Sequence, residues 1–249
     1  MSDVLVRALG WRATMFHGDP CVVDRWIFAR RHLRPGPVRT LDAGAGNGSF
    51  ALMAGSKGNH VVALSFAEDE LARAQRRANS VRMTRVVFRI GDLRRLSTFR
   101  DELGTFDQIL CLEVIEHLNA DQELVRLLAG LLRPGGQLLI SAPSARHRPL
   151  FCESLSSTED GGHVRWGYSS EQLTAMLEAA GLSVVAQGEI SGYVSQKLTN
   201  LMRRGQRITP GVGWLVVLPL RLVQLLDRPV THALRWPFLS VTAVAVRPS

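Results

Sequence analysis

Side chains able to move a proton are concentrated in residues 159–168. Imidazole is the side chain most often used as a general base near neutral pH, so His163 could take a proton. Glu159 or Asp160 would orient the imidazole ring of His163, and Arg165 would bind an anionic substrate. The alternative is a loop whose histidine and arginine only satisfy backbone carbonyls. We predict a catalytic loop with His163 as the base. The predicted substrate-binding residues of this loop are Arg165, Trp166 and Tyr168.

A glycine-rich turn occupies residues 41–50. An apolar strand end runs into Asp42 and then into glycines at positions 44, 46 and 48, and an apolar run suited to a helix follows. Such a unit presents backbone N–H groups to a nucleotide-like ligand, and glycine permits the close approach. The dinucleotide fingerprint Gly-x-Gly-x-x-Gly would need glycine where Ser49 stands.

The form Asp-x-Gly-x-Gly-x-Gly resembles motif I of the class I S-adenosylmethionine (SAM) methyltransferases. Three later segments match that family in order, namely Gly91-Asp92-Leu93, residues 106–118 and residues 131–140. The resemblance covers about residues 38–189 and the terminal strand. Its motifs are most similar to the ubiquinone-pathway O-methyltransferases and the related type 11 small-molecule methyltransferases.

The resemblance implies that SAM is the cofactor and that Asp92 accepts a hydrogen bond from the adenine amino group. Strand two of the family usually ends in an acid that binds the ribose, but this chain has Ser65 there. Either Ser65 binds the ribose more weakly, or Glu68 or Asp69 reaches back. The expected cofactor-binding residues are Asp42, Gly44, Ala45, Gly46, Gly48, Ser65, Asp92, Leu93 and Glu113.

Glu113, Glu116 and His117 are spaced three or four residues apart, so one helical turn would place them on one face. In two similar subfamilies, such acids and histidine help to hold a divalent cation that lowers the pKa of the acceptor hydroxyl. The resemblance therefore implies catalytic roles for Glu116 and His117, and a Mg²⁺ site formed by these three residues. The alternative is that the pair only packs near the cofactor, as in metal-free relatives. No second histidine follows directly in residues 118–121.

The chain has 249 residues, enough for one large domain with a buried core. Its three cysteines are too few for a disulfide framework, which favours a reducing compartment. It shows neither a signal-peptide pattern nor an apolar run long enough to span a membrane, so we expect a cytoplasmic protein. The net charge of +8 lies on the flanks, because residues 1–40 carry +4 and residues 190–249 carry +7. Such flanks either bind an anionic partner or are simply solvated.

Strand and helix patterns alternate from residue 38 to residue 189, which predicts a Rossmann-like α/β fold. We expect a doubly wound, seven-stranded, mostly parallel sheet whose last strand is reversed, as in the family. The predicted strands are 38–41, 60–64, 85–90, 106–112, 137–142, 182–187 and 241–246. The predicted helices include 66–80, 121–132 and 170–180.

The predicted domains are an N-terminal helical arm at 1–37, a SAM-binding core at 38–189, an insert at 190–240 and a terminal core strand at 241–249. Residues 214–227 of the insert are mostly apolar and helix-like, with Pro219 expected to weaken or kink the helix. The insert is a buried helix, a lid over an apolar substrate, or a peripheral membrane contact at the inner face of a membrane through residues 197–228. Aromatic and apolar side chains of the arm either line the acceptor site or pack on the sheet; they are Trp11, Met15, Phe16, Trp26 and Phe28.

We therefore expect a SAM-dependent methyltransferase that methylates oxygen on a small apolar or lipid-like acceptor. An RNA methyltransferase is one alternative, because basic flanks suit phosphates. Nucleic acid is the less favoured partner, since the sequence shows no adjacent basic RNA-binding module. A non-catalytic SAM-binding or interaction protein is another alternative, and Ser65 is its best support. Ser49 and Ser65 together argue against a nicotinamide dehydrogenase.

Overall fold

A computed structural model describes residues 6–8, 10–16 and 18–249. A seven-stranded sheet with the order β3-β2-β1-β4-β5-β7-β6 forms its centre. Strand β7 is antiparallel to both β5 and β6, and the other pairs are parallel. The predicted fold class is confirmed, including the reversed last strand. The strands are β1 Arg39–Ala43, β2 His60–Ser65, β3 Val86–Ile90, β4 Phe106–Leu112, β5 Leu132–Pro143, β6 Ser183–Ile190 and β7 Ser240–Val246.

Helices cover both faces of the sheet, and one buried apolar cluster lies on each side. Fully buried runs such as Ile109–Cys111 in β4 reflect this double cover. The helices are α1 Ala13–Phe16, α2 Pro20–His32, α3 Ser49–Ser56, α4 Glu68–Ser80, α5 Leu96–Leu103, α6 Asp121–Leu131, α7 Ser170–Ala179, α8 Tyr193–Gln206, α9 Pro210–Val217 and α10 Asp227–Ala233. Short 3₁₀ helices span Leu93–Arg95 and Ile115–His117, and a longer one spans Leu218–Leu226.

Strand β5 differs most from its prediction, because it begins at Leu132 instead of residue 137. Leu132 pairs with Phe106, and the next pair is Gln137 with Gln108, so residues 133–136 bulge out of the ladder. Helix α6 ends at Leu131, just before the Pro-Gly-Gly sequence, as predicted. Strand β5 pairs with β4 both before the bulge, at Leu132, and after it, from Gln137.

The arm packs on the sheet through Met15 and Phe28, which are buried in the same cluster as residues of α3 and β2. Trp11 and Trp26 lie against that cluster. These four side chains therefore pack on the sheet, as one of the two alternatives for the arm expected. The side chain of Phe16 lies outside the described part of the chain.

Pro219 coincides with the change from α9 to the 3₁₀ helix Leu218–Leu226, in agreement with its expected effect on a helix. None of the nine residues of this 3₁₀ helix is buried. Of the three alternatives for the insert, a helix buried against the domain does not describe Leu218–Leu226, because its apolar side chains point outward. Within the described residues, no helix has both the length and the hydropathy needed to span a membrane.

Candidate active site

A cavity of about 320 Å³ lies at the carboxyl ends of β1 to β4. Strands β2 and β4 flank β1 on opposite sides, so the strand order reverses here, which is where open α/β sheets bind ligands. The cavity is lined by six of the nine predicted cofactor-binding residues: Gly44, Gly46, Ser65, Asp92, Leu93 and Glu113.

The glycines of the turn have different surroundings. A Cβ built at Gly44 would lie 2.5 Å from Val114 Cγ2, and one at Gly48 would lie 2.7 Å from a methyl group of α4, so both allow close packing. Gly46 has a φ of +48° and faces the cavity. Among the described residues, a Cβ there would have only Glu70 Oε2 within 4 Å, at 3.5 Å. Gly46 therefore leaves bare backbone for a ligand to approach.

Asp42 and Ala45 are buried beneath the turn and do not line the cavity. The N–H of Ala45 donates to Leu64 O at 2.7 Å, which joins the turn to β2. Burial raises the pKa of Asp42 to about 7, and its Oδ2 has no hydrogen-bond partner among the described residues. These two residues support the turn from below.

The wall beside β2 contains an acid that sequence reasoning missed. Glu70 lines the cavity, whereas Glu68 and Asp69, the acids expected to reach back, are exposed and do not. Ser65 Oγ is turned toward its own chain, where it accepts from Ala67 N at 3.3 Å. The rotation of α4 decides which of three successive acids faces the cavity, and that rotation is set by tertiary packing.

Asp92 and Leu93 form the adjoining wall at the end of β3. Hydrogen bonds from Arg94 lower the pKa of Asp92, and Arg94 Nη2 lies 2.7 Å from its Oδ2. Arg94 Cζ also lies 5.9 Å from the ring centroid of Phe66, which is exposed and lines the cavity. An aromatic face beside an ionised carboxylate suits a flat heterocycle bearing an amino group.

Glu113 lies between this cavity and a second one. It follows β4 with a φ of +55°, a conformation that is uncommon for a residue with a Cβ and clusters at functional sites. Its carboxylate accepts from Ser141 Oγ at 2.8 Å and from Ser240 Oγ at 3.2 Å. Glu113 and His117 line both cavities, so ligands in the two would be neighbours.

The second cavity has a volume of about 490 Å³, and both polar and apolar side chains line it. The arm, the turn after β4, the loop after β5 and the insert all contribute to it. Its ionisable and thiol residues include Asp19, Cys21, Arg25, Glu116, His117, Cys152, Glu153, His163 and Arg203.

Two hydrogen bonds bring His163 to the turn after β4. Val164 N donates to Glu116 O at 2.9 Å, and His117 Nδ1 donates to Gly162 O at 3.0 Å. The rings of His117 and His163 consequently meet edge to face, with centroids 4.8 Å apart. Because a carbonyl oxygen only accepts, Nδ1 of His117 carries the proton and Nε2 of the neutral ring is an acceptor.

The structure brings the three predicted catalytic residues together. One ligand atom from each of Glu116, His117 and His163 lies within 4.8 Å of the other two. Burial, and then repulsion by Glu113, raise the pKa of Glu116 well above its usual range, while burial lowers the pKa of His117. Neither carboxylate oxygen of Glu116 has a hydrogen-bond partner in the part of the chain that is described. Two imidazoles beside an unpartnered carboxyl suit either proton transfer or a divalent metal ion.

The acid beside His163 is Glu153, not Glu159 or Asp160. Glu153 Oε1 lies 3.4 Å from His163 Nδ1 and 3.1 Å from His147 Nε2. Burial would raise the pKa of Glu153, but the hydrogen bond that it accepts from His147 and the adjacent His163 ring hold it well below its usual range. Glu159 and Asp160 instead accept from backbone N–H groups. The prediction that Glu159 or Asp160 orients His163 is therefore wrong, because the loop places Glu153 beside the ring instead.

Arg165, Trp166 and Tyr168 line neither of the two cavities. Arg165 Nη1 lies 2.8 Å from Asp121 Oδ2, and its Nη2 donates to Leu118 O at 3.0 Å. Buried Tyr168 donates to the same Asp121 carboxylate at 2.7 Å. Asp121, at the start of α6, therefore holds this part of the loop away from the site. Arg165 donates to the backbone carbonyls of Leu118 and Asn119, which is the structural role given above as the alternative to substrate binding.

Residues of the second cavity that carried no sequence signal as site residues include Cys21, Arg25, Glu153 and Arg203. They come from α2, the loop after β5 and α8, segments that only the tertiary fold brings together.

Comparisons with known proteins agree with this geometry. A family profile described as a methyltransferase domain matches residues 41–140. A ubiquinone biosynthesis O-methyltransferase from Xanthomonas axonopodis pv. citri is 30% identical over 191 residues, which are 74% of this chain and 77% of that one. The chain belongs to the class I SAM-dependent methyltransferases. A second protein of that name, from Xanthomonas euvesicatoria pv. vesicatoria, is 31% identical over 178 residues, 68% of this chain and 72% of the relative.

Solved structures show the same fold for this methyltransferase. A SAM-dependent methyltransferase from Mesorhizobium loti has a TM-score of 0.60 at 17% identity, covering 93% of this chain and 100% of that one. Phosphoethanolamine N-methyltransferase 2 of Haemonchus contortus, in complex with SAM, has a TM-score of 0.60 at 18% identity, covering 100% of this chain and 60% of that one. SAM is the cofactor of the family to which the chain belongs, and the bare Gly46 backbone, Phe66, Glu70 and Asp92 of the first cavity fit it.

Proposed function

We propose that this methyltransferase transfers the methyl group of SAM to a hydroxyl oxygen of a small acceptor held in the second cavity. The observation that carries the proposal is the wall shared by the two cavities, in which Glu113 and His117 face both and His163 adjoins them. Transfer to oxygen is supported by the relatives named as O-methyltransferases. Their acceptor belongs to ubiquinone biosynthesis, and for this chain we propose a hydroxylated, lipid-like molecule.

In this proposal the protein holds donor and acceptor at reacting distance and removes one proton. SAM supplies an electrophilic methyl group. The acceptor oxygen forms the new bond to carbon as the carbon–sulfur bond breaks, and His163 takes the hydroxyl proton. Glu153 orients the His163 ring and stabilises the imidazolium that results.

A divalent metal ion at Glu116, His117 and His163 is a second candidate, favoured by the spacing of these three ligand atoms and the unpartnered Glu116 carboxyl. His163 supplies the second histidine that residues 118–121 lack, and Glu113 is engaged by serine hydroxyls. Two imidazoles with one carboxylate suit Mn²⁺ or Zn²⁺ better than the Mg²⁺ expected from sequence. A metal ion there would lower the pKa of the acceptor hydroxyl, with His163 as a ligand and not as the base.

The test measures S-adenosylhomocysteine formed from SAM with phenols and catechols, with and without an alkyl tail, and with matched amines. Turnover of a hydroxyl acceptor supports the proposal, and turnover of amines alone overturns it. SAM binding without turnover of any acceptor or RNA would favour the non-catalytic alternative.

Chelation separates the two mechanisms. Activity that survives EDTA, together with no heat of Mn²⁺ binding to the wild-type chain, supports His163 as the base. Loss of activity with EDTA, with Mn²⁺ binding that His163→Ala abolishes, supports the metal.

A further inference from the structure

The 3₁₀ helix Leu218–Leu226 has an inverted polarity. Its two polar side chains point inward: Arg221 donates to Gly18 O, and Gln224 donates to Pro20 O and to Ser195 Oγ, each at 3.1 Å. Its apolar side chains point outward, with Leu222 76% and Leu225 81% exposed. Hydrogen bonds thus hold the helix on the protein while its leucines face away from it.

The exposed apolar surface continues beyond this helix. Leu215 and Val216 of α9 are exposed, and Ile27 of α2 is exposed beside the same cleft as Leu225. Contiguous apolar surface of this kind marks an interaction site. We call the exposed apolar residues of α9 and of the 3₁₀ helix the outer ridge: Leu215, Val216, Leu218, Leu220, Leu222, Val223, Leu225 and Leu226.

The charge around the outer ridge is positive. Residues 190–249 contain eight Lys or Arg and a single acid, Asp227. Asp227 is buried and accepts from Gly192 N at 2.7 Å and Ser195 N at 2.9 Å, so it does not offset the surface charge. Exposed Arg31 and Arg228 border the cleft that Leu225 also lines. Two acids from outside residues 190–249 line the same cleft: Asp24 is half-buried, and Glu189 Oε1 lies 3.6 Å from Arg146 Nη2.

We propose that the outer ridge docks on an anionic lipid bilayer, with its leucines in the interfacial region and Arg31 and Arg228 against lipid phosphates. A nine-residue 3₁₀ helix is about 18 Å long, so it lies on a membrane and does not cross it. Aliphatic residues with few aromatics suit acyl chains better than a protein hot spot. A symmetric dimer through this surface would bring the arginines of both copies together, which disfavours a second copy as the occupant.

The test is flotation of the full chain with vesicles of equal parts phosphatidylglycerol and phosphatidylcholine, or of phosphatidylcholine alone. We expect strong binding to the anionic vesicles, which added salt weakens, and much weaker binding to the neutral ones. Leu222→Asn with Leu225→Asn should reduce binding at least tenfold. Arg228→Gln should reduce binding about fivefold, on anionic vesicles only.

Val87→Asn is the matched control, because Val87 is 61% exposed on β3, at the opposite edge of the sheet. It should bind vesicles like the wild type. All variants should keep their circular dichroism and SAM affinity, which shows that they fold. No binding of the wild type to anionic vesicles overturns the proposal, as does unchanged binding of the double leucine variant. A dimer that Leu225→Asn dissociates, without vesicle binding, would assign the ridge to a second copy of the chain.

Discussion

Replacement of Gly46 by valine should separate cofactor binding from folding. In the folded chain a Cβ at Gly46 lies 3.5 Å from Glu70 Oε2 and has open cavity elsewhere among the described residues. The fold therefore has room for a Cβ at this position, and the left-handed φ costs about 1–2 kcal/mol. At Gly44 the same change would place Cβ 2.5 Å from Val114 Cγ2 and damage packing instead.

The isopropyl group of Gly46→Val would enter the cavity of about 320 Å³ to which we assign SAM. We expect SAM and S-adenosylhomocysteine affinity to fall at least a hundredfold, about 2.8 kcal/mol. The strain of 1–2 kcal/mol corresponds to a loss of roughly 2–8 °C in the unfolding midpoint. Calorimetric titration measures the first effect, and a thermal melt of the same samples measures the second.

Gly181→Val is the matched control. Gly181 has a φ of +78° just after α7, and a Cβ there would have no neighbour within 4 Å among the described residues. This variant imposes similar backbone strain away from the cavity, so it should lower the midpoint and leave SAM affinity unchanged. Equal SAM affinity in the two variants would refute the assignment of the Gly46 turn to the cofactor.

Three further expectations concern the same site. His163→Ala should slow turnover about 10²- to 10⁴-fold with little change in SAM affinity, whereas His60→Ala, on an exposed histidine, should do neither; steady-state kinetics and calorimetry decide this. Glu70→Gln should weaken SAM binding about fivefold, and Glu68→Gln should not; equal effects would show that Glu70 makes no special contact. Burial raises the pKa of Asp42 from 3.8 to about 7, so the folded chain holds a proton that the unfolded chain releases. The free energy of unfolding should therefore fall as pH rises from 4 to 7, by up to about 4 kcal/mol from this group, and Asp42→Asn should flatten that slope in urea titrations; an unchanged slope would contradict it.

The cofactor half of the site could be read from the sequence because its signals are local. The turn at residues 42–48, Asp92 at the end of β3 and Glu113 at the end of β4 each follow a recognisable strand. The carboxyl ends of neighbouring parallel strands meet at one edge, so strand order alone collects these residues. The reversed β7 was implied only by the resemblance, since an apolar alternation has no direction.

Tertiary structure decided the second cavity, to which we assign the acceptor. His163 lies beside His117 because the loop after β5 bonds to the turn after β4, and no periodicity records that contact. Glu153 takes the place expected for Glu159 or Asp160 for the same reason, and Asp121 draws Arg165 away.

The insert shows the limit of pattern reading most directly. Its sequence determined that residues 214–227 are apolar with a polar side, and that Pro219 disturbs the helix. A pattern states which residues share a face, but it does not state whether that face meets the protein or the solvent. The hydrogen bonds from Arg221 to Gly18 O and from Gln224 to Pro20 O decided it, because they turned the polar side inward and left the leucines exposed.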